Sequence, residues 1–301
     1  MRISNKQVYL MIQRNIDRPK TNFLGLHEKL SSGRDINRFS DNPYGAGQVE
    51  KIRAQLSKIE QYQRNIESGL AVLNQTESAQ DRVESQLIRA KELAVTGASS
   101  AKNSSDRIAI AEEVNQILEN VLSISNLKFR DTYLFAGVNT TEKPYTELRD
   151  ANGDITAVTF NADSSGEIRH EVADGTYVTV NTPGSNMFNL KDGPIAALIE
   201  LRDDLLSNDI PAIRSSHDKV GDAFDNVLNE HIKIGSKTAR ISRQSEQYST
   251  LTVDLTAYLS KIQDADIAEL AVQLGMNEVV QRAAVGAASR IVQTNLVDLL
   301  T

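Results

Sequence analysis

The feature that most restricts this chain is a long helical repeat with no break in it. From Pro43 to Ala98, the positions Ile52, Leu56, Ile59, Gln63, Ile66, Leu70, Leu73, Glu77, Gln80, Glu84, Leu87, Lys91 and Ala94 follow helical spacing, with no proline after Pro43. The first half of this seam is apolar and the second half is mixed. Roughly 54 residues at about 1.5 Å each predict a rod on the order of 80 Å long. A helix cannot bury so long a stripe by itself and needs partners along its length. A second seam answers it from Ile213 onward, through His217, Val220, Phe224, Val227, His231 and Ile234. It continues through Ile241, Tyr248, Leu255 and Ile262 as a strict heptad, the repeat that favours left-handed supercoiling.

Between the rods the pattern changes twice. Thr96–Ser105 is small and polar and predicts a helix–helix turn. A helix from about Asp106 to Asn126 follows, with Asp106, Glu112 and Glu113 in its early turns, where they suit the helix dipole. From Gly137 to Pro194 the helical period is lost. Asn152-Gly153 precedes Ile155, Val158 and Phe160, and Asp174-Gly175 lies between Val172 and Val178, which are hairpin signals. Pro194 suits a first helical turn ahead of Ile195, Leu198, Leu201 and Leu205, and Asn208–Pro211 marks a boundary.

The two ends mirror each other. Val8, Ile12, Ile16, Phe23, Leu26 and Leu30 form one stripe, and Pro19 is expected to break or kink any helix there. Ile267, Leu270, Leu274, Val280, Ala284, Ala287, Ile291 and Leu299 form the other. The simplest closure brings the first and last segments together. The expected fold is mainly α: long antiparallel helical rods formed from both ends of the chain, with a small β-rich insertion. Three domains are expected: a terminal helical assembly domain (1–42 with 262–301), a helical rod domain (43–136 with 191–261) and an outer β-rich insertion (137–190).

Composition narrows the function classes. Aromatic residues make up 5% and tryptophan is absent, which suits helix seams better than a thick mixed core. A net charge of −7, with Lys and Arg spread along the chain, argues against nucleic acid and an anionic membrane as partners. With no cysteine, disulfides, thiolate catalysis and zinc–thiolate sites are excluded. Met1–Asp17 mixes Arg2, Lys6 and Arg14 with Val8, Leu10 and Ile12, which is unlike a cleaved signal peptide.

Residues Leu30–Gly47, LSSGRDINRFSDNPYGAG, resemble the family of flagellins and flagellar hook–filament junction proteins. Ser32, Gly33, Arg34, Ile36, Asn37, Ser40, Asp41, Pro43, Gly45 and Ala46 fit its turn motif. Three positions depart from it: Asp35 for a second basic residue, Phe39 for proline and Asn42 for a second aspartate. Lys261–Glu269, with Asp264 and Asp266, is similar to the family's C-terminal motif, and Met1-Arg2-Ile3-Ser4 to its start. Tyr133–Gly137 with Pro144-Tyr145, and Asn186–Asn189 leading into Ile195–Leu206, look more like the junction branch (hook-associated protein 3) than filament flagellin. So do Ala223–Asn229 and Ile234-Gly235.

The resemblance implies a flagellar structural subunit that forms a homo-oligomeric ring between hook and filament and contacts other axial proteins on both sides. It also implies type III export to the cell exterior, without a cleaved signal peptide and with a chaperone on the C-terminal helix. The assembly residues it singles out, with the terminal stripes, are Val8, Ile12, Ile16, Phe23, Leu30, Arg34, Asn37, Asp41, Asp264, Asp266, Ile267, Leu274, Ile291 and Leu299. Filament-forming flagellin is the alternative within the family, and a coiled-coil adaptor or chaperone the alternative outside it.

Catalytic and ligand-binding readings fare worse. Gly45-Ala-Gly47 lacks the third glycine of a dinucleotide loop, Glu50 standing in its place. Asp150, Asn152 and Asp154 hint at a calcium loop, but the glycine is misplaced and Asn161 stands where the closing glutamate belongs. Asp264 and Asp266 do not share a helix face and read instead as charge near a helix start. His217 and His231 lie two heptads apart, too far to share a metal on one helix; packing is the plain reading and a pH-sensitive seam the alternative. Asn103-Ser-Ser105 and Asn139-Thr-Thr141 read as surface turns rather than glycan acceptors. Asn15, Asn277, Gln281 and Asn295 are register devices in the terminal seams, polar positions that fix alignment at a cost in stability. No cofactor, metal or catalytic residue is expected.

Overall fold

A computed structural model describes residues 5–161 and 166–297; the side chains of Asn5, Lys6, Val8 and 291–297 fall outside that description. Seven helices and six strands follow in chain order among the described residues. They are α1 (Asn5–Ser32), α2 (Pro43–Gly97), α3 (Ser104–Ser125), β1 (Lys128–Phe129), β2 (Thr132–Tyr133), β3 (Tyr145–Arg149) and β4 (Ile155–Phe160). Then come β5 (Arg169–Ala173), β6 (Thr176–Thr179), α4 (Gly184–Met187), α5 (Pro194–Ser207), α6 (Ile210–Gln263) and α7 (Ile267–Val297). The chain sorts into two compact units, one of residues 1–58 with 250–301 and one of residues 59–249.

In the second unit α2 and α6 run antiparallel, and their contacts step in opposite directions along the two helices. Tyr62 stacks on Tyr248, with ring centroids 5.9 Å apart. His231 bonds Glu84 at 2.7 Å, and Lys91 lies 5.4 Å from the Phe224 ring. The heptad residues Ile213, Val220, Val227, Ile234, Ile241 and Tyr248 are all buried, as the repeat requires. The core joins Val83, Leu87 and Ala90 of α2 to Val114, Leu118 and Val121 of α3 and to Leu198, Leu201 and Leu205 of α5.

The hairpins do not form a core of their own. β3 and β4 pair antiparallel with a register shift after Leu148, and their Tyr145 and Ile155 join the α3–α5 core. β5 and β6 pair over Asp174-Gly175; Asn65 Nδ2 donates to Glu171 O at 2.8 Å, and Tyr248 Oη donates to Val172 O at 2.8 Å. A third hairpin, β1–β2, begins before position 137 in a segment too short to carry a period-2 signal.

Two buried arginines replace apolar packing with hydrogen bonds. Arg202 donates to Ile155 O at 2.7 Å and to Asn115 Oδ1 at 3.2 Å, tying α5 to β4 and α3. Arg107 donates to Gly97 O at 2.8 Å and Ser99 O at 3.0 Å, satisfying carbonyls left open at the end of α2. Asn103, the first residue of one sequon, opens α3 with a reciprocal cap: its Oδ1 accepts from Asp106 N, and Asp106 accepts from Asn103 N.

The expected break at Pro19 does not occur. α1 runs through Pro19 without interruption. A proline removes one N–H from a helix interior and crowds the carbonyl one turn back, a cost of about 3 kcal/mol. The 28 residues of α1, paired along one face with α7, carry that cost.

Candidate functional site

The two family-like motifs meet in the first unit. Gly33, at φ +69°, ends α1 in the left-handed conformation that favours glycine. The next residues lie beside the link between α6 and α7. Arg34 forms an antiparallel bridge with Asp264. Asp35 N donates to Gln263 O at 2.7 Å, and Ala265 N donates to Gly33 O at 3.0 Å. The chain is therefore clasped, backbone to backbone, where its first and last helices begin to pair.

A tight turn follows. Asp41 Oδ2 accepts from Asn37 N at 3.1 Å and from Arg38 N at 2.8 Å. The Arg38 and then the Asn37 amides hold the Asp41 carboxyl below the usual carboxylate range. Asn42 Oδ1 accepts from Gly45 N at 2.9 Å, so an amide oxygen performs the capping for which the family uses an aspartate. A Cβ on Gly45 would lie 2.6 Å from Ile36 Cδ1, the side chain buried beneath the turn. Asp35, the departure in charge, pairs with Lys29 at 2.7 Å, while Arg38 pairs with Glu28 at 2.9 Å. On the other side of the clasp Asp266 Oδ1 accepts from Ala268 N and Glu269 N at 2.9 and 3.1 Å, opening α7. Asp264 accepts the Ser260 hydroxyl.

Beyond the clasp α1 and α7 pair along a half-buried seam. Ile12, Ile16, Phe23, Leu26 and Leu30 are partly covered on α1. On α7, Leu270 is buried and Leu274, Asn277, Gln281 and Ala284 are partly covered, again at helical spacing. An open groove of about 810 Å³ runs between the helices, lined by Asn15, Asn22 and Gly25 on one side and Gln273, Met276 and Asn277 on the other. Asn277 Oδ1 is buried with no hydrogen-bond partner. A polar atom left unpaired in a seam is costly.

Outside the seam both helices keep apolar side chains open among polar ones. Leu10, Met11 and Leu24 are exposed on α1, and Val272, Met276, Val279 and Val285 on α7, Met276 at 66%. Ile267 and Val280, assigned to the stripe by spacing, are exposed as well. Spacing predicts one stripe on α7, but apolar residues also stand outside it, between Glu269, Gln273, Glu278 and Arg282.

Of the residues singled out from the sequence, Arg34, Asn37, Asp41, Asp264 and Asp266 gather at the clasp and its turn. Ile12, Ile16, Phe23, Leu30 and Leu274 line the seam. Val8 and Ile291, whose side chains are not described, and Leu299 lie outside the described residues. The Arg34 side chain is exposed and makes no ion pair among the described residues. Asp150 Oδ1 accepts from Asn152 N and Asp154 N, which is turn chemistry rather than ion coordination.

The chain is similar to known flagellar proteins. Flagellin of Halalkalibacterium halodurans is 37% identical over 99 residues, 33% of this chain and only 36% of that relative's length. Flagellin of Bacillus subtilis is 26% identical over 269 residues, 85% of this chain and 84% of the relative. Among solved structures, flagellar hook associated protein-3 of Legionella pneumophila superposes with a TM-score of 0.61 at 14% identity, covering 71% of this chain and 98% of that one. Residues 3–140 match the bacterial flagellin N-terminal helical region and residues 217–300 the bacterial flagellin C-terminal helical region. The chain belongs to the flagellin family.

Proposed function

We propose that this chain is a structural subunit joining the flagellar hook to the filament, and that it assembles as a ring through α1, α7 and the clasp between them. The observation that carries this reading is the apolar surface of α7. One face meets α1, while Val272, Met276, Val279 and Val285 remain open, so pairing within the chain leaves the helix incompletely buried. Lateral and axial neighbours presenting the same helices would complete that burial. Residues 1–42 and 262–301 then carry assembly, and the remainder supports them. Exposed Arg34 and Asn37 at the clasp are placed to meet polar groups of a neighbour.

The junction role, rather than filament growth, is favoured by the Tyr133–Gly137 and Asn186–Asn189 motifs and by the likeness to hook associated protein-3. Filament flagellin is the second reading, favoured by the sequence relatives. In our reading the protein reaches the exterior through the flagellar export channel, with α7 held by a chaperone on the way. A chaperone would cover the same open face that neighbours cover after assembly.

Electron microscopy of the purified chain added to isolated hooks tests the reading. A short ring capping each hook is expected, and long filaments growing from the hooks would transfer the assignment to filament flagellin. Deletion of 1–30 or of 262–301 should leave a folded, soluble remainder that no longer adds to hooks. Incorporation of both truncated chains would overturn the terminal-helix mechanism.

A further inference from the structure

Away from the ends, three carboxylates of α2 converge on one imidazole of α6. His231 Nδ1 lies 2.7 Å from Glu84 Oε1. Its Nε2 lies 3.7 Å from Glu77 Oε1 and 3.8 Å from Asp81 Oδ1. Glu77 and Asp81 are one helical turn apart and share a face, so their side chains reach the same space. Asp81, Glu84 and His231 each offer a ligand atom within 4.8 Å of the others. No lysine or arginine pairs with any of the three carboxylates among the described residues.

The ring is held by its hydrogen bonds. In the neutral imidazole a carboxylate at Nδ1 fixes the proton there and leaves the Nε2 lone pair facing Glu77 and Asp81. This is the carboxylate–histidine arrangement that orients histidine ligands of metal ions. Donors bound at about 2.0–2.2 Å to one tetrahedral ion lie roughly 3.4 Å apart. The two nitrogen–oxygen separations exceed that by only a few tenths of an ångström, whereas the Glu77 and Asp81 oxygens stand further apart than the 4.8 Å that relates Asp81, Glu84 and His231, so the two carboxylates must swing toward each other to share an ion. Asp81 is exposed and Glu77 half-exposed, so both can close the difference by rotamer adjustment.

We propose that Glu77, Asp81 and His231 Nε2 bind a divalent transition-metal ion between α2 and α6, with Glu84 positioning the ring. One imidazole and two carboxylates suit Zn²⁺, Co²⁺ or Mn²⁺ and disfavour Ca²⁺, which takes six or more oxygen ligands. The ion would pin the two long helices at a fixed register and neutralise carboxylate charge that no lysine or arginine offsets among the described residues.

The full chain is titrated with ZnCl2 by calorimetry at neutral pH and with CoCl2 by visible absorption. One zinc per chain is expected, with cobalt d–d bands that zinc abolishes and calcium does not. His231→Gln, and separately the double variant Glu77→Gln with Asp81→Asn, should each weaken zinc at least about tenfold. His217→Gln should leave binding unchanged. The proposal is overturned if the wild-type chain binds no zinc, if calcium competes equally, or if His231→Gln binds as well as wild type. Should His231→Gln lose its helical circular dichroism, the double variant at these solvent-facing carboxylates decides alone, and its undiminished binding overturns the proposal.

Discussion

The α1–α7 pair and the α3–α5 pair are both built from apolar residues at helical spacing, yet they finish in opposite states. In the second unit Leu118, Leu198, Leu201 and Leu205 are completely buried, and on α5 Leu206 is the large apolar side chain left exposed among the described residues. On α7 only Leu270 is buried among the described side chains, and not completely, while Val272, Met276 and Val279 stay open. A hairpin and two long helices close over α3 and α5. Among the described residues α7 is covered along the α1 seam and open elsewhere. The first pair is a finished core and the second is half of one, which is the arrangement expected of a subunit whose ends belong to an assembly.

The contrast can be broken by substitution, in order of effect on the isolated chain. Leu198→Ala should cost about 2–5 kcal/mol in urea unfolding of the monomer, because the site is closed on all sides. Leu274→Ala on the half-covered seam should cost far less; equal losses would mean that α7 is as finished as α5. Arg202→Met should cost about 1–3 kcal/mol, since it leaves Ile155 O and Asn115 without their donor. The paired substitution Met276→Asp with Val279→Asp should change monomer stability by no more than about 0.5 kcal/mol. It should nevertheless abolish addition to hooks in electron micrographs, and retained addition would show that the open face is idle.

The smallest effect sharpens the clasp. Asp41 has its pKa lowered in the folded turn, so it stabilises the turn above the ordinary aspartate range and that contribution is lost as pH falls through the lowered value. Amide exchange at Asn37 and Arg38 should therefore accelerate, relative to the intrinsic rate, as pH falls below about 4. Asp41→Asn should remove that pH dependence.

Much of this was legible in the sequence because helices announce themselves by period. The bounds of α2, the heptad of α6, the hairpins at Asn152-Gly153 and Asp174-Gly175 and the start of α5 at Pro194 all follow from local chemistry. The clasp was reachable through the family-like motifs at Leu30–Gly47 and Lys261–Glu269, although spacing alone could not pair Arg34 with Asp264. Pro19 misled because a local rule was applied to a helix supported by tertiary packing. Arg107 and Arg202 gave no signal, since a buried arginine looks like a surface one until its carbonyl partners are known. His231 was read along its own helix, where its neighbours are a heptad away, whereas its carboxylates stand on α2.

The clasp also orders events in time. Gly33–Asp35 and Gln263–Ala265 lie near opposite ends of the chain, and α1 has no helical partner until α7 follows. A polypeptide made or threaded N-terminus first therefore spends nearly its whole emergence with α1 single. Loop closure over so long a separation is slow compared with the local folding of α3 and α5. The body of the subunit is thus complete before its ends can meet, and the last residues to arrive decide when the first ones become usable.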